Sequence, residues 1–501
     1  MDKALRRSLL LLAAVTLVTA WFSQLFYHPD EHYQILEFLS SKLGITPVSE
    51  LPWEFSARIR PWLQPLFYFL IAKPLILLGV KDMFTIVFVL RLATGLFCLA
   101  ALAAFIRALL PTIQDQEEKR VLVRYLPLFG FLPYLFVRTS SEAMSGAFFA
   151  LSLALAIGEK SGRRLAVAGL LCGLAFECRY QAAFLGLGLL AWLAIIARAR
   201  PAGLAAFIGG GLCAVMLGVL ADRWGYGAWI FPPYNYFHAN IVQDVAAKQF
   251  GSEPALAFLY LLPAQIFFAI TLILMAAMVA MWLRNPRHPL SWTTLPFVLA
   301  HMAVAHKEAR FLFPLAILAT AFPVLGFSPR LPRWRAFFIH VWSWRTSWPM
   351  KAVTALSLLG MAYFAFYPFG VRPHMPMARY LYRHWPGTVY SFAYPFQSYP
   401  IFRPAGFRSE RLRDTAQLEA LLDKGPVYLM SQTPQPPPVP QGVRASLLYS
   451  EFFPARFGFG RAGADYIRDY TAFAARHGYL RLMPLYWYTL YRVERSETMR
   501  S

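Results

Sequence analysis

Formal charge is scarce in this chain. Asp, Glu, Lys and Arg make up 15% of its 501 residues, where a soluble domain carries about 25%. Acid is scarcer still: 26 Asp and Glu against 48 Lys and Arg leave a net charge of +22. So few charges do not cover a water-facing surface of this size. Instead 58% of the residues are hydrophobic and the mean hydropathy is +0.45. Apolar runs near the ~20 residues that cross a bilayer recur along the chain. The four cysteines, Cys98, Cys172, Cys178 and Cys213, all lie inside such runs without CxxC spacing. They are expected to be small apolar residues, not ligands or disulfides. There is no internal repeat and no nucleic-acid motif. The basic excess therefore reads as Lys and Arg on cytosolic loops, with a share for anionic lipid phosphates.

The acids that are present sit in telling places. Met1 to Tyr27 has Lys3, Arg6 and Arg7 before an apolar core, but no small-residue cleavage site follows. It reads as an uncleaved first span with its N-terminus in the cytosol. Immediately after it comes His28-Pro29-Asp30-Glu31-His32-Tyr33-Gln34. Aromatic and basic anchors suffice at membrane borders, so an acidic pair there is a functional-site candidate. On a helix, neighbouring residues point about 100° apart. Asp30 and Glu31 therefore cannot face each other across one bond. One is expected to be a base, its pKa raised at the low-dielectric border, and the other a positioner. A plain helix N-terminus would also favour acids. His28, His32 and His306 with Asp30 lack diagnostic metal spacing, and no metal is expected.

Residues 28–82 read as a large first external loop, in which apolar positions at Ile35, Leu36, Leu39 and Leu43 predict a helix lying along the membrane surface. The segment 62–80 is apolar but interrupted by Pro65, Lys73 and Pro74. Parity decides its role. If it stays on the outer face, spans follow at about 83–109, 121–138, 143–158, 164–178, 181–198, 203–220, 256–283, 291–305, 310–327 and 350–367. Every cytosolic turn is then basic, as the positive-inside rule asks. That gives about eleven spans. It also puts the remaining polar clusters on the side of Asp30: Arg138–Glu142, Glu177–Gln181, Asp222–Gly227 and His306–Phe311. Charges wedged between apolar runs are costly, so clusters on one face point to one shared site.

The cations in these clusters, Arg138, Arg179, Arg223, Lys307 and Arg310, suit a phosphate leaving group or, singly, snorkelling anchors. Trp53, Trp62, Trp224 and Trp229 suit sugar stacking or the interfacial aromatic belt. Residues 368–501 are less apolar and read as a small external α/β domain. Strands are expected at Pro426–Met430 and Leu485–Val493, a helix at Asp465–His477 and a stiff loop in the Pro-rich Thr433–Pro440.

Three ordered motifs carry a resemblance. His28-Pro29-Asp30-Glu31 with Tyr33-Gln34, then Leu51-Pro52-Trp53-Glu54-Phe55 and Ile59-Arg60-Pro61, resembles the first luminal loop of the glycosyltransferase family 22 mannosyltransferases. The GPI mannosyltransferases that add the third and fourth mannose are especially similar. Pro52 stands for a usual Thr and Pro61 for a usual Ser. Asp222 to Gly227 with Pro233, Asn235 and Asn240 resembles the family's D-x-x-x-Y-G stretch and its continuation, and His306 to Pro314 resembles H-K-E-x-R-F-x-x-P. The likeness covers roughly residues 20 to 330.

The resemblance implies an all-α polytopic GT-C fold, a polyprenyl- or dolichyl-phosphate mannose donor, a glycan or glycolipid acceptor, and an α-mannoside made with inversion. It implies Asp30 as base beside Glu31. His28, Gln34, Trp53, Glu54, Arg60, Arg138, Arg179, Arg223, Tyr226, Asn235, His306, Lys307, Glu308 and Arg310 would line the donor or acceptor. A transporter of lipid-linked sugars is the rival, but it would carry charges near the bilayer midplane and often repeated halves. Compact Arg- and Pro-rich loops and the lack of a C-terminal dilysine signal point to a bacterial inner membrane with an external site, an ER membrane being the alternative.

Overall fold

The computed structural model describes residues 2–24, 26–158, 160–265, 268–327, 347–366, 374–384, 387–393, 395–433, 435–452 and 488–496. The chain divides into two compact units, Met1–Phe369 and Gly370–Ser501. Unit one is α-helical. Among its described residues four helices are long and apolar enough to cross a membrane: Lys3–Phe22, Met83–Thr112, Pro201–Tyr226 and Trp348–Phe366. Shorter apolar helices include Leu63–Leu77, Ser141–Ile157, Tyr180–Ile196, Ile270–Arg284 and Ala309–Ala319. This is an integral membrane protein.

Several expected spans are not single helices. Residues 121–138 are broken at Pro127 and Pro133, each of which opens a new short turn because proline cannot donate to the one before it. The segment still travels the length of a helix. Ser8 Oγ donates to Val123 O at 2.9 Å near its start, and Arg138 Nη2 donates to Ser23 O at 2.8 Å near its end. It therefore runs alongside the first helix from one end to the other. Residues 309–327 are likewise a succession of short turns. Helices Gly162–Cys178 and Pro201–Tyr226 pack backbone against backbone. A Cβ on Gly169 would lie 1.8 Å from Phe207 O, so only glycine permits this approach.

The first loop departs from expectation. Residues 29–42 are helical throughout, with a wide turn at His32–Leu36. The face expected to be polar and wet is enclosed as well, so this helix buries both sides. His32 and Glu37 are fully buried and pair with each other, and Thr46 Oγ1 donates to Glu37 at 2.6 Å. Polar groups that satisfy one another can be enclosed at little cost. Segment 62–80 forms the helix Leu63–Leu77, which buries Leu63, Gln64, Pro65, Tyr68 and Ala72 and exposes Leu70 and Leu77.

Among the described residues of unit two there is a five-stranded mixed sheet of order β2-β1-β3-β5-β4. The strands are β1 Val389–Ser391, β2 Ser409–Arg411, β3 Val427–Ser431, β4 Val443–Ser450 and β5 Thr489–Arg495. Leu418 and Leu422 of the helix Thr415–Leu422 pack on Val427, Leu429 and Val493. The expected helix at Asp465–His477 lies outside the described residues, as does Pro434 in the Pro-rich loop.

Candidate active site

His28 shapes the entry to the site. It is extended, Pro29 follows at the first helical position, and its Nδ1 accepts the Asp30 N–H at 3.2 Å. That acceptance leaves the ring proton on Nε2, which lies 3.1 Å from Glu308 Oε2. The turn then sends Asp30 and Glu31 in different directions. Glu31 points inward, where it accepts from Thr139 N at 2.8 Å, Thr139 Oγ1 at 3.2 Å and Tyr27 N at 3.1 Å. Burial raises its pKa in spite of Arg138 and Arg91.

Asp30 points outward, its side chain 24% exposed, and meets Arg310 Nη2 at 2.7 Å. Burial, the largest single influence, would raise the Asp30 pKa, but Arg310, His28 and Arg60 together outweigh it and hold the carboxyl well below the usual carboxylate range. The border carboxylate with the raised pKa is thus the inward Glu31. Asp30 is kept ionised.

Arg310 is the hub. Its side chain is 9% exposed. Nε donates to Glu308 at 2.6 Å and Nη1 to Glu142 at 3.3 Å, in addition to Asp30. Glu308 also sits 3.0 Å from His306 Nε2, while His306 Nδ1 lies 2.9 Å from Gly251 O. Both ring nitrogens face acceptors, which only the imidazolium can satisfy. The hydrogen bond to Glu308 accordingly raises the His306 pKa. Burial would raise Glu308, yet Arg310 and His306 hold it down. Glu142 opens the helix Ser141–Ile157 and joins Arg310 to Arg179, whose Nη1 donates to it at 2.8 Å.

On the other flank, Arg60 Nη2 lies 3.9 Å from Asp30 and 3.7 Å from Glu54. Gln34 Nε2 donates to Glu54 at 3.1 Å. Tyr226 OH donates to Arg60 O at 2.9 Å, and Asn235 Nδ2 to Arg58 O at 3.1 Å. Asp222 accepts the Trp62 N–H at 2.8 Å, and Gly225 has no Cβ because the Trp62 ring fills that place at 2.0 Å. Next to Arg60 opens a small cleft whose lining includes the polar side chains Gln34, Arg60, Gln64, Arg179, Gln181 and Tyr236. Arg60 Nε, Arg179 Nε, Gln64 Oε1 and Tyr180 OH are buried there without a protein partner. Such groups are expensive to leave dry and unpaired, so they mark where a polar ligand belongs.

The five polar clusters of the sequence thus meet. Some named residues take other positions. Arg138 is buried against Ser23 and Tyr134 O, away from the cleft. Lys307 ties down Glu253 O and Val304 O. Arg223 is exposed and stacks on Trp229 at 5.7 Å. Trp53 is also exposed. Glu142, Gln64, Tyr180, Gln181 and Tyr236 were not among the expected site residues. Glu142, Tyr180 and Gln181 do lie in the charged wedges between apolar runs, which was the available signal. Among the described residues no three His, Cys, Asp or Glu side chains gather as metal ligands.

With this geometry in hand, similarity to known proteins is informative. The chain is 26% identical over 370 residues to GPI alpha-1,2-mannosyltransferase 3 of Mus musculus, covering 71% of this chain and 62% of the relative. It is 27% identical over 313 residues to GPI mannosyltransferase 3 of Yarrowia lipolytica, covering 61% and 59%. It thus spans about three-fifths of the length of these relatives. Among solved structures it is similar to ArnT from Cupriavidus metallidurans bound to undecaprenyl phosphate, with a TM-score of 0.49, 13% identity and coverage of 84% and 92%. It is also similar to the Archaeoglobus fulgidus oligosaccharyltransferase, with a TM-score of 0.41, 11% identity and coverage of 76% and 55%. The profile of the Alg9-like mannosyltransferase family matches residues 8–383, and the chain belongs to that family.

Proposed function

We propose that the chain is an inverting mannosyltransferase of GT-C type. It takes mannose from a polyprenyl- or dolichyl-phosphate donor and forms an α-mannoside on a glycan or glycolipid at the external face of its membrane. One observation carries the reading: ionised Asp30 stands 3.9 Å from Arg60, at a cleft where Arg60 and Arg179 each keep an unsatisfied N–H. A base and a phosphate cradle side by side are what an in-line displacement needs.

In the reaction the acceptor oxygen attacks C1 of the mannose. The C1–O bond to the phosphate breaks on the opposite face, Asp30 takes the hydroxyl proton, and the lipid phosphate departs with one more negative charge. Arg60 and Arg179 hold that charge. Arg310 keeps Asp30 ionised and aimed, and Glu142 keeps Arg310 and Arg179 in register. An apolar pocket lined by Leu312 and Phe313, just past Arg310, would take the start of the donor's prenyl chain. The arginines make a divalent metal unnecessary, and the bacterial inner membrane is the favoured location. A transporter is disfavoured, because Glu142, Arg179 and Arg310 all sit at helix ends.

The test is transfer by the purified protein from polyprenyl-phosphate mannose to glycolipid acceptors, with and without EDTA. Asp30→Asn should lower kcat by about 10²–10⁴-fold, the usual worth of a general base. Full activity of that variant overturns the base assignment. Transfer from a nucleotide sugar alone overturns the lipid donor.

A further inference from the structure

Between Gly227 and Asp244 the chain carries no formally charged residue, although it lies beyond the end of the helix Pro201–Tyr226. Residues 232–242 are helical, as a turn Pro232–Phe237 that continues through His238–Val242. Their two edges differ. Tyr234, Phe237 and Ile241, spaced as one helix face, are exposed, together with Trp229 and Phe231. The opposite edge buries Pro232 and Ala239 and carries Tyr236 inward. Tyr236 accepts from Gln181 Nε2, and its ring lies 5.6 Å from the Arg60 guanidinium. It is one wall of the polar cleft.

An exposed aromatic edge without charges is costly in water and ordinary at a membrane border, where Trp and Tyr concentrate. The patch adjoins the apolar surface of the preceding span, with the exposed Arg223 at the border between them. Ile208, Leu212, Met216 and Leu220 form an exposed stripe along the preceding span, and the segment follows directly from its end. We propose that residues 229–242 lie in the interfacial layer of the bilayer. Their Tyr234–Phe237–Ile241 edge sits among phospholipid chains, and a lipid-borne substrate reaches the cleft sideways, past the inner edge that carries Tyr236. The entry role rests on the lipid-linked reading above. The lipid contact does not.

The two parts are tested separately in full-length protein reconstituted in phosphatidylcholine vesicles. In a Cys213→Ser background, where the remaining cysteines are buried, Phe237→Cys is labelled with bimane. Quenching by lipid carrying a doxyl group at carbon 5 should exceed that of a label at Lys248→Cys at least threefold, with little quenching by aqueous iodide. Strong iodide quenching overturns the lipid contact. So does protection from both quenchers with a doubled particle mass, which would mean a second copy covers the edge. For the entry role, Phe237→Glu with Ile241→Glu should raise KM for a long-chain donor about tenfold and leave kcat unchanged. KM for a short-chain, water-soluble donor should stay the same. Equal effects on both donors overturn side entry. Loss of all transfer in the unmodified protein would overturn the enzymatic reading and leave the quenching result standing.

Discussion

Asp30 and Glu31 divide the work of one acidic pair. Glu31 accepts three hydrogen bonds, two of them from Thr139 at the start of a distant helix. Replacing it with Ala leaves buried N–H groups unpaired, at about 1–3 kcal/mol each. Glu31→Ala should therefore lower Tm by several degrees in a detergent melt, whereas Asp30→Asn, which leaves Arg310 paired with Glu308 and Glu142, should lower it less. Arg310 governs the ionisation of Asp30. With the Asp30 pKa held well below the usual carboxylate range, Asp30 stays charged at pH 5 to 8 and adds no acidic limb to kcat/KM there. Arg310→Gln removes the strongest lowering influence and leaves burial, which raises the pKa, opposed only by His28 and Arg60. An acidic limb should then appear and move upward in pH, with kcat down about 10²–10³-fold. An unchanged profile would sever the link between the two residues. The sequence made Asp30 and the His306–Arg310 motif visible, because charge between apolar runs stands out. It did not reveal which of Asp30 and Glu31 faces the cleft, since that depends on where Thr139 arrives.

Helix packing sets the geometry that holds these side chains. Gly169 meets Phe207 O, and Gly210 meets Ala166 O, at distances that exclude any Cβ. The two helices bring Arg179 and Tyr226 to the same end of the unit. Gly169→Val should force them apart, with poor yield of folded protein and loss of transfer, measured by size-exclusion recovery and activity. Recovery equal to the unmodified protein would mean that the helices slide without cost. Helices with unbroken apolar runs, such as Met83–Leu109, were plain from hydropathy alone. The stretches at 121–138 and 309–327 were not, because proline breaks the helix while the apolar content stays high. Hydropathy registers only the latter.

At the scale of the whole molecule, charge decides orientation. If 62–80 stays on the outer face, Lys81 is external and Lys160 cytosolic. A cysteine placed at Lys81 in the Cys213→Ser background should react with an impermeant maleimide added outside intact cells. One placed at Lys160 should react only after the membrane is opened. Both reacting from outside would reverse the arrangement. The C-terminal strands β3 and β5 were visible as alternating apolar runs, but their pairing across the sheet was not, because partners so far apart in sequence leave no local trace.

Arg310 and Asp30 are 280 residues apart in the chain. At roughly 5–20 residues per second, a ribosome that has just emitted Asp30 needs about 15 seconds to a minute before it emits Arg310. Throughout that interval the nascent chain offers an acid at the membrane edge without its nearest counter-ion, with only His28 and the more distant Arg60 beside it. The first loop therefore cannot settle into its final form as it emerges. It waits for that charge partner, so the part that carries the chemistry is completed only after most of the membrane unit has been made.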